Sequence, residues 1–245
     1  MSIATAFQVG ALAVSGLFAL TRLPSAVRGR NPLLFWALLM LCIAIALGIS
    51  PVYLAVDNAL GGVNIANVMI RFAMYGFFLI LGVKAAVAFR APGAGRLIAG
   101  PAGVAVVIAV GIATVVLFIL ADLPVSSPGL RSYGGQLPVM LYGILGRVYP
   151  GYVAACLVGP ALRIAAHRRR PSLMRAGAGL LGVGLIGVVL YAIQDVTPLD
   201  VNPWDHLVPY SSIILTTVGL ALLGSQRIAS KKRIKQTPLM QTYVK

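Results

Sequence analysis

The sequence predicts an all-α fold: a polytopic membrane bundle of seven transmembrane helices, with the N-terminus outside and the C-terminus cytoplasmic. Three observations carry this. The 245 residues are 59% hydrophobic and only 10% charged, with a mean hydropathy of +0.93, far more apolar than an average soluble domain. Apolar runs of about 20 residues, the length a helix needs to cross ~30 Å of hydrocarbon, recur along the chain. The charges also separate by connection, bases in one set of loops and acids in the other, as the positive-inside bias requires.

The predicted spans are Ala4–Thr21, Leu33–Val56, Asn67–Ala88, Leu97–Leu120, Val139–Ile164, Leu173–Ile193 and Leu207–Leu223. Runs this long without alternation cannot be barrel strands, and lipid offers a backbone no hydrogen-bond partner outside its own helix. The first run is followed by bases rather than by a small-residue cleavage site, so it reads as a retained helix. Residues 1–225 form the membrane domain and 226–245 a basic cytoplasmic tail.

Arg22, Arg28 and Arg30 follow the first span, and Arg90 and Arg96 the third. Arg163, His167, Arg168, Arg169, Arg170 and Arg175 surround the fifth connection. In the tail, Arg227, Lys231, Lys232, Arg233 and Lys235 are placed to touch anionic lipid of the inner leaflet, each base near the surface worth about 1 kcal/mol. All five acids, Asp57, Asp122, Asp195, Asp200 and Asp205, lie in the other connections, where Arg131 is the only base. The net charge of +15 therefore orients the chain in a bilayer and does not point to nucleic acid. Two of the outer connections, residues 124–138 and 196–209, are rich in Pro, Gly and Asp and read as irregular loops.

Polar residues inside the spans are the candidate site. A guanidinium a third of the way into hydrocarbon costs a few kcal/mol unless it faces the bundle interior and finds a partner. Arg71 is such a residue, and at helical spacing it shares a stripe with Asn67 and Tyr75. Tyr53 with Asp57, and Tyr191 with Asp195, repeat a Tyr-x3-Asp spacing at the outer ends of the second and sixth spans. Asp57, Asp122 and Asp195 sit at helix C-termini, where the helix dipole disfavours an acid by ~0.3–1 kcal/mol. A cation should offset this, and Arg71 and Arg147 lie at comparable depth. Two readings follow. In the first, Arg71 pairs with Asp57 or Asp195 as a structural clasp. In the second, Asn67, Arg71, Tyr75, Tyr53, Arg147 and Tyr191 line an exterior vestibule for a small polar or anionic ligand. Lys84, near the inner boundary, can snorkel and needs no role.

The fifth span carries Pro150 and Pro160 among glycines, a pattern of kinked helices. The sixth carries Gly177/Gly184 and Gly179/Gly182, which let neighbouring backbones approach. Cys42 and Cys156 fall in apolar runs and behave as small hydrophobes. No metal-ligand spacing, no phosphate-binding Gly motif and no Lys in the last span are present; no metal, cofactor or catalytic residue is expected, and the chain does not read as an enzyme. With no Glu and no inner-half acid, a carboxylate relay for protons is also disfavoured.

From Arg30 to Pro92 the chain carries a basic-Asn-Pro entry (RNPLLFW), a Pro-x-Tyr-x3-Asp exit (PVYLAVD), a GGVNIAN loop and a long third helix. These features, with a looser match over Tyr149–Ala176, resemble an actinobacterial heptahelical family that carries the label transporter. The resemblance implies seven helices with the N-terminus outside, in the plasma membrane of a Gram-positive bacterium. Members of that family usually continue into a cytosolic domain, whereas this sequence ends after its basic tail, and where they are expected to carry a Lys at the end of the sixth helix this chain has Asp195. The expected function is a transporter or permease. The rivals are a sensor that signals to a separate cytosolic protein through the basic connection and tail, and a structural or assembly protein whose charges serve packing alone. Substrate and oligomeric state have no signature in the sequence.

Overall fold

The computed structural model describes residues 3–29, 32–194 and 207–224. Every regular element among them is helical: α1 (Ile3–Val27), α2 (Pro32–Leu47), α3 (Ser50–Ala59), α4 (Ile65–Ala88), α5 (Pro92–Ala99), α6 (Pro101–Leu120), α7 (Leu137–Ala166), α8 (Ser172–Ile193) and α9 (Leu207–Gly224), with a 3-10 turn at Pro128–Tyr133. Six of these stretches are long and apolar enough to cross a membrane, or seven if α2 and α3 are one bent span. The chain is thus a multi-pass membrane protein. Asp195, the loop around it and the basic tail from Arg227 to Lys235 lie outside the described residues.

The second predicted span is corrected by the structure. Instead of one helix over Leu33–Val56, α2 stops at Leu47, and α3 leaves at 97° to it. The cause is local: Pro51 lacks an N–H and its ring excludes a helical carbonyl four residues back, so Ile49 is extended at φ −82°, ψ 116° and Pro51 begins a new helix. The side-chain amide of Gln8 on α1 donates to Ile45 O at 3.4 Å, a carbonyl at the end of α2 that also accepts the Gly48 N–H at 3.0 Å. The predicted fourth span continues as one stretch, Pro92–Leu120, interrupted between α5 and α6 only by the extended Gly100. Helix α7, in contrast, remains a single helical element through Pro150 and Pro160. Arg22 lies within α1, not in the connection after it.

Helix α4 occupies the middle, packed against α2, α5, α6 and α7. Tyr75, Phe77, Phe78 and Leu81 of α4 meet Tyr149, Val153, Ala154 and Leu157 of α7, all buried in one apolar core, which Ala178, Leu181 and Leu185 of α8 extend. Leu20, Trp36, Ile112 and Ile119 are exposed, as lipid-facing side chains must be when the solvent is hydrocarbon. The small residues of α8 do what their spacing predicts: a β-carbon at Gly177 would lie 3.1 Å from the Gly219 carbonyl of α9.

Candidate functional site

The polar end of the bundle is built by the bend. Turning α3 across the end of α2 carries Tyr53 and Asp57, one helical turn apart and both fully buried, over the start of α4. The Asp57 carboxylate accepts the backbone N–H of Asn64 at 2.9 Å and of Ala66 at 3.0 Å, and the hydroxyl of Ser126 donates to it as well. The positive end of the α4 dipole and its orphan amides thus supply what the acid needs.

Asn64 adopts the left-handed conformation (φ 64°, ψ 19°). Its Oδ1 accepts the Tyr53 hydroxyl at 2.9 Å and the Ser127 N–H at 2.7 Å, and its Nδ2 donates to Val125 O at 2.9 Å. Asn67 continues the network: Nδ2 donates to Ser127 O at 3.2 Å and to the Tyr53 hydroxyl, and Oδ1 accepts Gly129 N–H at 3.1 Å. The loop before the 3-10 turn is therefore clamped to α3 and α4, with Leu130 buried beneath it at φ 56°. Tyr53 and Asn67, expected to line a vestibule, are committed to this knot. Residues 124–138 are an ordered cap, where the composition suggests an irregular loop.

Arg71 lies one turn deeper on α4, about 9 Å from the start of the helix at 1.5 Å per residue. Its guanidinium carbon is 4.9 Å from the centroid of the Tyr142 ring on α7, a cation–π contact. It also presses so closely on α7 at Gly146 that a β-carbon there would overlap it. Tyr142 is 2% exposed; its hydroxyl is near Arg71 but lacks the geometry of a hydrogen bond. The expected Asp57–Arg71 clasp is not formed. Asp57 is held by α4 amides and Ser126, and no carboxylate among the described residues pairs with Arg71. The alternative partner, Asp195, falls outside the described residues.

Below Arg71, the Tyr75 hydroxyl meets Thr114 Oγ1 at 3.0 Å, and Thr114 in turn donates to Val110 O at 2.8 Å. The Tyr75 ring meets Tyr149 edge-on at 5.5 Å, and the buried Tyr149 hydroxyl makes no hydrogen bond. Arg147 and Tyr191 come together on a different face of α7, the guanidinium carbon 5.1 Å from the ring centroid. The six candidate ligand-binding residues therefore divide into three groups: Tyr53 and Asn67 in the loop knot, Arg71 and Tyr75 facing α7, and Arg147 with Tyr191 between α7 and α8. Tyr142, Tyr149, Asn64 and Ser126 complete the arrangement; none is a candidate site residue in the sequence, where Asn64 stands only in the GGVNIAN loop, although the spacing of 142, 146 and 149 places them on one face of α7.

No protein family, curated protein or solved structure matches the chain.

Proposed function

We propose that this membrane protein is a transporter or permease that receives a small anionic solute at Arg71, from the end of the bundle where Asp57 and the 124–138 cap lie. The observation that carries the reading is a guanidinium set between α4 and α7, without a carboxylate among the described residues and over a buried tyrosine. A cation at this depth with no carboxylate partner among the described residues favours an anion strongly, because low dielectric strengthens the attraction. The Tyr142 hydroxyl adds a donor beside the charge. By the positive-inside bias this end is exterior, the N-terminus outside, and the plasma membrane is the site of action. The resemblance to the actinobacterial heptahelical family agrees with that topology.

The second reading is a helix clasp in which the same guanidinium only joins α4 to α7, and the close approach at Gly146 favours it. A sensor would bind without moving solute. Uptake of a panel of labelled small carboxylates and phosphates into proteoliposomes separates the three: a carrier accumulates one of them, a sensor binds without accumulating, and a clasp does neither.

A further inference from the structure

At the opposite end of the bundle, where the basic connections emerge, a narrow cleft opens between α1, α2 and α9. Arg22 and Thr217 supply its polar groups, with Phe18, Leu34, Leu38 and Leu220 as apolar walls. Arg22 is partly buried, and its guanidinium lies against α9 at Gly224, where any β-carbon would overlap it. No carboxylate among the described residues pairs with it; the described acids, Asp57 and Asp122, belong to the other end. Thr217 is 1% exposed and its hydroxyl has no hydrogen-bond partner. In hydrocarbon an unsatisfied hydroxyl is costly; the Thr217 hydroxyl lacks a partner, and Arg22 has no carboxylate among the described residues.

We propose that this cleft binds one anionic phospholipid, the phosphate at Arg22 and an ester oxygen at Thr217. The geometry fits the order of groups in a phospholipid. Thr217 lies seven residues before Gly224, about 10 Å along α9 toward the bundle middle at 1.5 Å per residue, the direction in which ester groups lie below a phosphate. Leu20, 65% exposed, and Trp36, 51% exposed, give the flanking lipid-facing surface along which acyl chains run. Arg28, exposed beyond Arg22, adds positive charge at headgroup level, and basic pockets between transmembrane helices at the cytoplasmic side suit anionic headgroups. The assignment is independent of the Arg71 reading.

The test uses the full chain in detergent, measuring retention of phosphatidylglycerol by native mass spectrometry against phosphatidylcholine and inorganic phosphate. The wild type should retain phosphatidylglycerol in preference to phosphatidylcholine. Arg22→Gln should lower that retention about fivefold, the factor that one base near an anionic surface supplies, and Arg22→Lys should keep most of it. Thr217→Val should lower retention about threefold, as loss of one hydrogen bond does, while leaving the lipid-free melting temperature unchanged or raised. The tail variant Lys231→Gln/Lys232→Gln/Arg233→Gln should keep the preference. Equal retention of phosphatidylcholine would overturn the proposal, and so would displacement of phosphatidylglycerol by inorganic phosphate. Unchanged retention in folded Arg22→Gln or Thr217→Val, or loss in the tail variant alone, would overturn it too.

Discussion

Asp57 ends one helix and holds the start of the next: its carboxylate accepts the Asn64 amide at 2.9 Å across the turn that joins α3 to α4. The negative end of one dipole and the positive end of another share one buried acid, which pairs with no basic side chain among the described residues. The whole cap depends on this arrangement, because the Ser126 hydroxyl is bound to the same carboxylate.

Replacing Asp57 by Ala removes three accepted hydrogen bonds and leaves two α4 amides without their acceptor. The expected loss of stability is about 3 kcal/mol, the scale for a buried group with charge-assisted bonds. Asp57→Asn should lose roughly half of that, since one acceptor oxygen remains. Thermal melting checks the magnitude, and hydrogen exchange should show the amides of 125–130 losing protection first.

Asn64 combines a left-handed backbone with three side-chain hydrogen bonds. Asn64→Ala incurs both costs, whereas Asn64→Gly keeps the conformation and loses only the bonds. The glycine variant should therefore melt above the alanine variant, by a difference of about 1 kcal/mol. Equal stability of the two would mean that the left-handed backbone is not maintained.

Gly146 is required by the guanidinium that lies on it. Gly146→Ala must displace Arg71 from Tyr142 and should destabilise the α4–α7 contact by about 1–3 kcal/mol, as overpacking does. The double variant Gly146→Ala/Arg71→Ala should recover much of this loss, a coupling that a double-mutant cycle reads directly.

The spans were legible because lipid imposes a length: α4 at Ile65–Ala88, α8 at Ser172–Ile193 and α9 at Leu207–Gly224 each lie within a few residues of the apolar runs. Hydropathy is blind to direction, so the turn at Ile49 was missed although Gly48 and Pro51 stood in the sequence. The Asp57–Arg71 pair expected from charge alone does not form, because backbone amides at the start of α4 hold the carboxylate in place of a cationic side chain. Asn64 stood in the sequence only as part of the GGVNIAN loop, and its role depends on Tyr53 and Ser127, one 11 residues before it and the other 63 after. Tyr142 carries no charge or motif to link it with an arginine on another helix. That link is made only when α4 packs on α7.

The measurement that tests the central claim most directly is equilibrium binding of labelled small anions to purified wild type, Arg71→Lys and Arg71→Gln, each first shown to be folded by its melting transition. Wild type should bind at least one carboxylate or phosphate of the panel. Arg71→Gln should bind it at least about tenfold more weakly, the range of a lost charge-assisted contact, and Arg71→Lys should fall between them. Unchanged anion binding in a folded Arg71→Gln protein, or no binding by wild type together with a loss of fold in Arg71→Gln that Arg71→Lys restores, would contradict the account and leave Arg71 as a clasp between α4 and α7.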